Sequence, residues 1–521
     1  MTTAESFPSP DGANSPADDT NWGNPSPLAD MLLGDDPSPP ASNGTIPSQA
    51  TALSNLAAGA ELWHTADGTA YATIEVQTWH EHWRLRSRAF AQWLARRHYD
   101  IHHTAPKSNA LADALAVLEA RARFEGQEHL VFSRVAGHEG QIYLDLADRR
   151  WRAVAIGPGH WNVVERPPVR FRRANAVLAL PEPEPGKALD RLRRFINVGD
   201  DDWPLVAAWL VTALRPAGPY PILFLYGEQG SGKSTQARVL RALVDPNSAP
   251  LRACPKEAHD LALAAHNGWV IALDNLSRLP GWLSDALCRL STGGGFATRT
   301  LFENEEETIF DAQRPVLVTG IEDLASRGDL LDRALVVQLP VIPPSRRRTE
   351  AEFWREFEQE RPWLVGALAE AAATALARLA TVRPPELPRL ADFAQWAAAA
   401  EPALGCAPGT FERLYARHNE AISLFALESS SIAVPILKLV RSGTWRGTAS
   451  GLLAALDQEA DASERRRPDW PKGLAQFSGL LRRMAPNLRA FGILIEFTRD
   501  GHQGRRQIEL RFEAHGGERK S

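Results

Sequence analysis

The residues at 227–235 constrain this chain more than any other segment, and they read Gly-Glu-Gln-Gly-Ser-Gly-Lys-Ser-Thr. They follow directly on an apolar run, Pro221–Tyr226, which has the composition of a buried β-strand. The spacing of the glycines, the lysine and the hydroxyl residue is that of a phosphate-binding loop between a strand and a helix. The sequence therefore predicts an α/β fold in which a mostly parallel sheet is flanked by helices.

Each residue type in this loop has a chemical reason. Glycines let backbone N–H groups approach the phosphates of a nucleotide, and the start of the following helix adds further donors. Lys233 is predicted to reach the β- and γ-phosphate oxygens, and the Ser234 hydroxyl to bind Mg²⁺. Only seven residues of the chain are lysines, so a lysine at this position is informative. We therefore predict a P-loop NTPase core with ATP and Mg²⁺ as cofactors. The predicted cofactor-binding residues are Gly227, Glu228, Gln229, Gly230, Ser231, Gly232, Lys233, Ser234 and Thr235.

Two further apolar strands end in polar residues that fit the same chemistry. The run from Trp269 ends at Asp274, which is the Walker B pattern and predicts a carboxylate in the Mg²⁺ shell. Asn275 follows, at a position where many ATPases carry glutamate. An amide orients a water molecule but cannot accept its proton, so hydrolysis and nucleotide binding without turnover both stay open. Thr319 ends the next strand, where a polar residue is expected to sense the γ-phosphate.

An arginine stands directly before a fourth apolar strand, which reads Ala-Leu-Val-Val. Arg333 is predicted to reach the nucleotide of a neighbouring subunit as an arginine finger. The alternative is an ordinary surface arginine. The predicted catalytic residues are therefore Lys233, Asp274, Asn275, Thr319 and Arg333, and the predicted metal ligands are Ser234 and Asp274.

After the loop come "WVIALDNLS", "TGGGFATRTLFENEEET", "RPVLVTGIEDL" and "DRALVVQLP". This order resembles the ATPase core of phage and plasmid primase–helicase proteins, which are superfamily III-like helicases within the AAA+ group. The resemblance covers about residues 185–345. It implies a hexameric ring that moves DNA, with replication proteins as further partners, and places Arg299 within Gly293–Thr308 as a DNA contact in the central channel. The departures are Asn275, Thr319 and the acidic segment 303–307, where the family usually has an acidic pair, an asparagine and a hairpin tip that grips phosphates.

The composition of the chain divides it into five predicted segments. Residues 1–60 contain seven acidic residues and no lysine or arginine, so the N-terminus is predicted to be a disordered tail. The segments are the tail at 1–58, an N-terminal α+β module at 60–180, the ATPase core at 187–345, a helical lid or linker at 346–440 and a winged-helix-like module at 441–515.

The last module is predicted from two helices followed by a hairpin. Helices are expected near Ala449–Gln458 and Gly473–Met484, and strands at Ile493–Thr498 and Arg506–Phe512. A helix for the major groove and a basic wing for phosphates form a standard DNA-docking arrangement. The alternative is a winged helix used for protein contacts, because arginine is abundant throughout the chain. The predicted DNA-binding residues, with Arg299, are Arg482, Arg483, Arg499, Arg505 and Arg506.

Composition excludes several function classes. The three cysteines have no zinc-site spacing, no carboxylate cluster of a polymerase is visible, and primer synthesis is therefore not predicted. The widely spaced cysteines fit a reducing, cytoplasmic setting. No run approaches the roughly 20 apolar residues of a membrane span, so no membrane partner is expected. The leading hypothesis is an ATPase, and possibly a DNA helicase, of the phage or plasmid replication type. The alternative is a nucleotide-gated DNA-binding regulator or partitioning factor without helicase activity.

Overall fold

The computed structural model describes residues 47–294, 296–299, 307–310, 312–320, 328–384, 387–499 and 506–512. It begins with a helix, α1 (Gln49–Leu56), within the predicted disordered tail. That prediction is wrong for this segment because Leu53 is completely buried in a hydrophobic cluster with Phe90 and Leu118. Residues 1–46 of the tail lie outside the described residues.

Two small sheets and two helices follow α1. The sheets have the orders β3-β2-β1-β4 and β6-β7-β8-β9, and β5 pairs with β10. Helices α2 and α3 pack against the first sheet, in the cluster that also contains α1. The elements are β1 (Glu61–His64), β2 (Ala70–Val76), β3 (Trp79–Arg84), α2 (Arg88–His102), α3 (Ser108–Phe124), β4 (Gln127–Glu128), β5 (Val131–Phe132), β6 (Val135–His138), β7 (Gln141–Asp145), β8 (Ala153–Gly157), β9 (His160–Val164) and β10 (Arg170–Phe171).

A four-stranded sheet with the order β12-β15-β11-β16 forms the next part of the chain, and all of its pairings are parallel. This confirms the predicted mixed α/β fold with a parallel sheet and flanking helices. All four strands therefore end at one edge of the sheet. The elements are α4 (Trp203–Thr212), β11 (Ile222–Tyr226), α5 (Lys233–Val244), α6 (Ala258–Asn267), β12 (Ile271–Leu276), α7 (Gly281–Thr292), β13 (Phe296–Arg299), β14 (Glu307–Phe310), β15 (Val316–Gly320), α8 (Gly328–Leu331) and β16 (Ala334–Gln338).

The C-terminal part contains seven described α-helices and an antiparallel sheet. The strands β17, β19 and β18 form an antiparallel sheet in that order, next to α12, α13 and α15. The elements are α9 (Glu350–Arg378), α10 (Ala391–Ala400), α11 (Thr410–Glu428), α12 (Ala433–Arg441), β17 (Trp445–Gly447), α13 (Ala449–Glu459), α14 (Ala462–Arg466), α15 (Leu474–Ala490), β18 (Ile493–Arg499) and β19 (Arg506–Phe512).

The parallel sheet is covered on both faces, as its continuous apolar strands require. On β11, Leu223 and Leu225 contact the cluster that includes α4, α5 and α9. The alternate residues Ile222 and Phe224 contact α6 and α7. The described residues from Gln49 onward form one compact unit, so the four predicted boundaries within that unit stay predictions.

No single helix among the described residues has both the length and the apolar character needed to cross a membrane. The two helices α11 and α12 meet that criterion only as a pair, and they are bent by 98° relative to one another.

A buried cluster of charges connects the N-terminal sheets to the end of α5. Asp245 follows α5 and is inaccessible to solvent; its carboxylate lies 3.2 Å from Arg134 Nε and 3.6 Å from Arg241 Nη2. It also accepts the backbone N–H groups of Trp269 and Val270. Burial lowers the pKa of Arg241, and Asp245 opposes that effect. One carboxylate therefore balances two buried guanidinium groups from different parts of the chain.

We expect Asp245→Asn to lower the free energy of unfolding by about 3–5 kcal/mol, because it leaves two buried arginines without a counter-charge. Urea unfolding followed by tryptophan fluorescence measures the change. The matched control is Asp201→Asn, which removes an exposed ion pair with Arg417 and should cost at most about 1 kcal/mol. Equal midpoints for the two variants would show that the buried cluster is not needed for stability.

Candidate phosphate-binding site

The predicted loop connects β11 to α5 at the carboxyl edge of the parallel sheet. Gly227 has a φ of 152° and Gly232 a φ of 82°, which side chains other than hydrogen rarely tolerate. A Cβ atom on Gly227 would lie 2.6 Å from the Leu339 carbonyl oxygen, so the space is also closed to it. Both glycines are therefore required by backbone geometry.

Lys233 is the first residue of α5, and its ammonium group turns back into the loop. Its Nζ atom donates to the carbonyl oxygens of Gly227 at 2.7 Å and Glu228 at 2.9 Å. Neutral carbonyl oxygens are weaker partners for an ammonium group than phosphate oxygens. An anionic ligand can therefore replace the two carbonyl oxygens as the partner of the Lys233 ammonium group.

Three predicted site residues from separate parts of the sequence meet beside the loop. The Ser234 hydroxyl donates to both carboxylate oxygens of Asp274, at 2.8 and 3.0 Å. The Thr319 hydroxyl donates to the same carboxylate and accepts the backbone N–H of Asn275 at 2.9 Å. These residues are 40 and 45 positions from Asp274 in the chain, and the parallel pairing of β12 with β15 brings two of them together.

The donor set of this cluster fits a hard divalent cation. A hydroxyl and a carboxylate supply only oxygen atoms, which are the ligands that Mg²⁺ prefers, and it usually takes few of them from the protein. The carboxylate of Asp274 is half-buried and the Ser234 hydroxyl is within hydrogen-bond distance of it. The assignment of Ser234 and Asp274 as Mg²⁺ ligands stays a prediction.

Asn275 lies next to this cluster, but its side chain is exposed to solvent. Its φ of 56° is left-handed, a conformation that asparagine adopts more readily than most residues. The register of β12 against β15 shifts between Leu273 and Leu276, so Asn275 lies on an irregular turn of the strand. Its backbone N–H donates to the Thr319 hydroxyl.

Arg333 is not part of this cluster. It precedes β16, and because β11 and β16 are parallel, it lies at the amino edge of the sheet, opposite the loop. Its Nη1 atom donates to the Asp329 carbonyl oxygen at 2.7 Å and lies 3.8 Å from Cys288 Sγ. Burial raises the pKa of the neighbouring Asp332, against the opposing effect of Arg389. A role for Arg333 in the site of another subunit stays a prediction.

Residues that the sequence analysis did not single out support the loop from outside. The Asn197 amide donates to the carbonyl oxygens of Ser231 at 3.2 Å and Pro340 at 2.5 Å. The backbone N–H of Ile342 donates to the Gly230 carbonyl oxygen at 3.3 Å. These residues come from before α4 and after β16, and no local pattern marks either segment as a neighbour of the loop.

The predicted DNA-binding arginines fall on α15 and on the β18–β19 hairpin. Arg482 and Arg483 are exposed on α15, and the Arg482 guanidinium lies 5.6 Å from the centre of the Phe497 ring. Arg499 and Arg506 are exposed and directly opposite each other, at the end of the strand pair where β18 leads on to β19. Like charges in this register destabilise a sheet unless an anion lies between them.

Two further predicted DNA contacts are Arg505 and Arg299. Arg505 lies outside the described residues. Arg299 ends β13, and its backbone is in register with Glu307 of β14, so it belongs to a β-hairpin as the sequence analysis proposed.

Two family models match the sequence. The model described as "Actinomycete integrative conjugative element replication protein" matches residues 189–414, and the "AICE RepA C-terminal domain" matches residues 432–520. No curated protein matches the chain.

Similar solved structures include "The A form apo structure of NrS-1 C terminal region-CTR", at 12% identity and a TM-score of 0.38, covering 89% of this chain and 98% of that one. A full-length MCM homolog from Methanopyrus kandleri is 16% identical with a TM-score of 0.31, covering 66% of this chain and 91% of that one. At these TM-scores the likeness carries no inference about activity.

We expect Thr319→Val to lower the free energy of unfolding by about 1–3 kcal/mol. The variant keeps the shape of the side chain but leaves the Asp274 carboxylate and the Asn275 N–H short of a partner. Thermal unfolding compared with Thr212→Val measures the effect. Thr212 is equally buried, but its hydroxyl donates to the Ala208 carbonyl within its own helix, so its replacement should cost less. A larger loss for the control would contradict the proposed importance of the cluster.

Proposed function

We propose that this chain is an ATP-driven, DNA-interacting protein of the replicative-helicase type, in the family of actinomycete integrative conjugative element replication proteins. The matches of two models of that family to residues 189–414 and 432–520 support the proposal. The observation that carries the proposal is the meeting of Ser234, Asp274 and Thr319 beside the loop that holds Lys233. ATP is the proposed nucleotide, because Lys233 and the cluster lie where the β- and γ-phosphates of a triphosphate would bind.

In this proposal the residues of the loop bind and orient the triphosphate. Backbone N–H groups and the start of α5 bind phosphate oxygens, and Lys233 exchanges its carbonyl partners for the β- and γ-phosphates. Bound Mg²⁺ would neutralise charge between those phosphates, with Ser234 and Asp274 as its protein-derived ligands. The Ser234–Asp274 hydrogen bond holds both side chains in place before the nucleotide arrives.

Thr319 and Asn275 are proposed to help position the water molecule that attacks the γ-phosphate. Thr319 fixes the Asp274 carboxylate and the Asn275 backbone, and the exposed amide of Asn275 can orient a water molecule. Phosphoryl transfer depends mainly on positioning and charge stabilisation, so an amide at this position is compatible with turnover.

The C-terminal module is proposed to bind duplex DNA in the manner of a winged helix. The sheet order β17-β19-β18 with three packed helices supports this, and α15 carries Arg482 and Arg483 on its exposed side. Arg499 and Arg506 at the end of the hairpin would bind a phosphate of the DNA backbone. A bound phosphate would remove the repulsion between these two side chains, which explains why two arginines can face each other in the hairpin.

Self-association, with a hexameric ring as the proposed form, follows from the predicted helicase type and has a structural counterpart in Arg333. Arg333 lies at the amino edge of the sheet, away from the loop of its own chain, and in this proposal it reaches the loop of a neighbouring subunit. Other replication proteins are further proposed partners.

One observation favours the second candidate, a nucleotide-gated DNA-binding regulator or partitioning factor. Asn275 provides no carboxylate to accept a proton from water, so the chain would bind ATP and change its DNA affinity without helicase activity. DNA titrations with and without a non-hydrolysable ATP analogue, beside an unwinding assay, separate the two candidates. Unwinding supports the first candidate; an affinity change without turnover supports the second.

We expect Lys233→Ala to weaken ATP binding about 10–100-fold, because a charge-assisted contact to phosphate is lost. Equilibrium binding of a fluorescent ATP analogue with Mg²⁺ measures this, with DNA-stimulated phosphate release as a second readout. Lys107→Ala, an exposed lysine before α3, is the matched control and should bind like the wild type. Failure of the wild type to bind ATP would remove the proposed function altogether.

We expect Arg499→Ala and Arg506→Ala each to weaken DNA binding and to reduce the slope of log affinity against log salt by about 1, as loss of one phosphate contact predicts. Fluorescence anisotropy with a duplex at several salt concentrations gives the slope. Arg466→Ala, an exposed arginine on α14 of the same module, is the control. Unchanged slopes in both hairpin variants would exclude the hairpin as a phosphate contact.

A further inference from the structure

The segment between β16 and α9 passes along the outside of the phosphate-binding loop. The Leu339 N–H donates to the Tyr226 carbonyl oxygen at 2.8 Å, which continues the ladder of the sheet up to the start of the loop. Ile342 bonds the carbonyl oxygen of Gly230, and its Cδ1 atom lies 3.1 Å from the position of a Cβ atom on Gly232. The segment is therefore in direct contact with the loop.

Three consecutive arginines end this segment, and their surroundings differ. Arg348 is paired, because its guanidinium bonds Glu356 at 2.9 Å and the Arg194 carbonyl oxygen at 2.7 Å. Arg346 is exposed and belongs to the 3-10 turn Pro344–Arg346. Only Arg347 is placed beside the loop: a Cβ atom on Gly230 would lie 3.7 Å from its Nη2 atom.

Arg347 is also weakly held. Its side-chain hydrogen bond within the described part of the chain runs from Nε to the Ile342 carbonyl oxygen, at 3.4 Å. That distance is long for an N–H···O bond, and the acceptor is a neutral carbonyl. An exposed guanidinium with so weak a partner can turn toward an anion without breaking an ion pair.

We propose that Arg347 contacts the triphosphate bound in the loop of its own chain. This inference rests on the proposed nucleotide binding. A guanidinium group presents a planar fork of donors that matches phosphate oxygens, and Gly230 is at the tip of the loop that surrounds them. Arg347 thus acts in cis, in addition to the action in trans proposed for Arg333 of a neighbouring subunit.

The chemistry assigned to Arg347 is charge stabilisation during hydrolysis. Water attacks the γ-phosphorus, the bond from that phosphorus to the β–γ bridging oxygen breaks, and ADP leaves with the electron pair. The proton lost by the water goes to phosphate oxygen, which yields inorganic phosphate. Negative charge grows on the bridging and γ-oxygens, and N–H donors of Arg347 stabilise it there.

The decisive comparison is Arg347→Ala against Arg346→Ala, which removes the same side chain one position away and outside contact with the loop. We expect Arg347→Ala to lower kcat for ATP hydrolysis about 100-fold or more, with less than about a tenfold loss in affinity for a non-hydrolysable analogue. Arg346→Ala should turn over like the wild type. Arg347→Lys should recover only part of the rate, because an ammonium group lacks the planar fork.

A mixing experiment separates action in cis from action in trans. Full-length Arg347→Ala chains are combined with Lys233→Ala chains, which cannot use their own loop but carry an intact Arg347. A finger supplied in trans would restore turnover in the mixture, whereas a finger in cis leaves it at the sum of the separate variants. Restored turnover would overturn the inference.

The outcomes keep this inference separate from the proposed function. A wild-type chain that does not bind ATP contradicts both. A wild-type chain that hydrolyses ATP while Arg347→Ala matches Arg346→Ala contradicts the inference alone. If the wild type binds ATP without turnover, the readout is the preference for the ATP analogue over ADP: Arg347→Ala should reduce it, and an unchanged preference overturns the inference.

Discussion

The hydrogen-bonded contact of Asp274 with Ser234 and Thr319 is the interaction around which the candidate site is organised. It exists because parallel strands end at one edge, so polar residues near the carboxyl ends of β12 and β15 lie beside the loop that follows β11. Each partner is separated from the carboxylate by at least 40 residues of chain. The site is thus a property of the sheet order, and any change in that order would scatter its members.

Helix α5 links this site to the rest of the molecule. It begins at Lys233, whose ammonium group closes the loop, and Asp245 follows its last residue, Val244. The Asp245 carboxylate binds Arg134 from the N-terminal sheets. Both ends of one helix are therefore fixed by charged groups, and buried residues of β6, β7 and β8 belong to the same hydrophobic cluster as those of α5.

Particular residues show where sequence reasoning stopped. Arg333 was predicted to be a site residue because it precedes a buried strand. It lies at the amino edge of the sheet, opposite the phosphate-binding loop of its own chain. Arg347 belongs to an arginine run in a chain rich in arginine, and nothing local distinguishes it from its neighbours. The burial of Leu53 was not predicted, because it depends on contacts with residues about 40 to 65 positions away in the chain. In each case a long-range contact decided the outcome.

By itself, the sequence determined the local elements of this protein: a strand, a glycine-rich turn and a helix around Lys233, a strand ending at Asp274, and a basic hairpin near the C-terminus. These follow from periodicity, glycine conformation and residue chemistry, all of which act over a few neighbouring positions. Only the tertiary structure decided that Ser234 bonds Asp274, that Arg347 lies beside Gly230, and that Arg333 lies away from the loop. These contacts depend on the strand order and on the path of the segment after β16. They join residues that are far apart in the sequence, so the local sequence pattern around each residue does not reveal them.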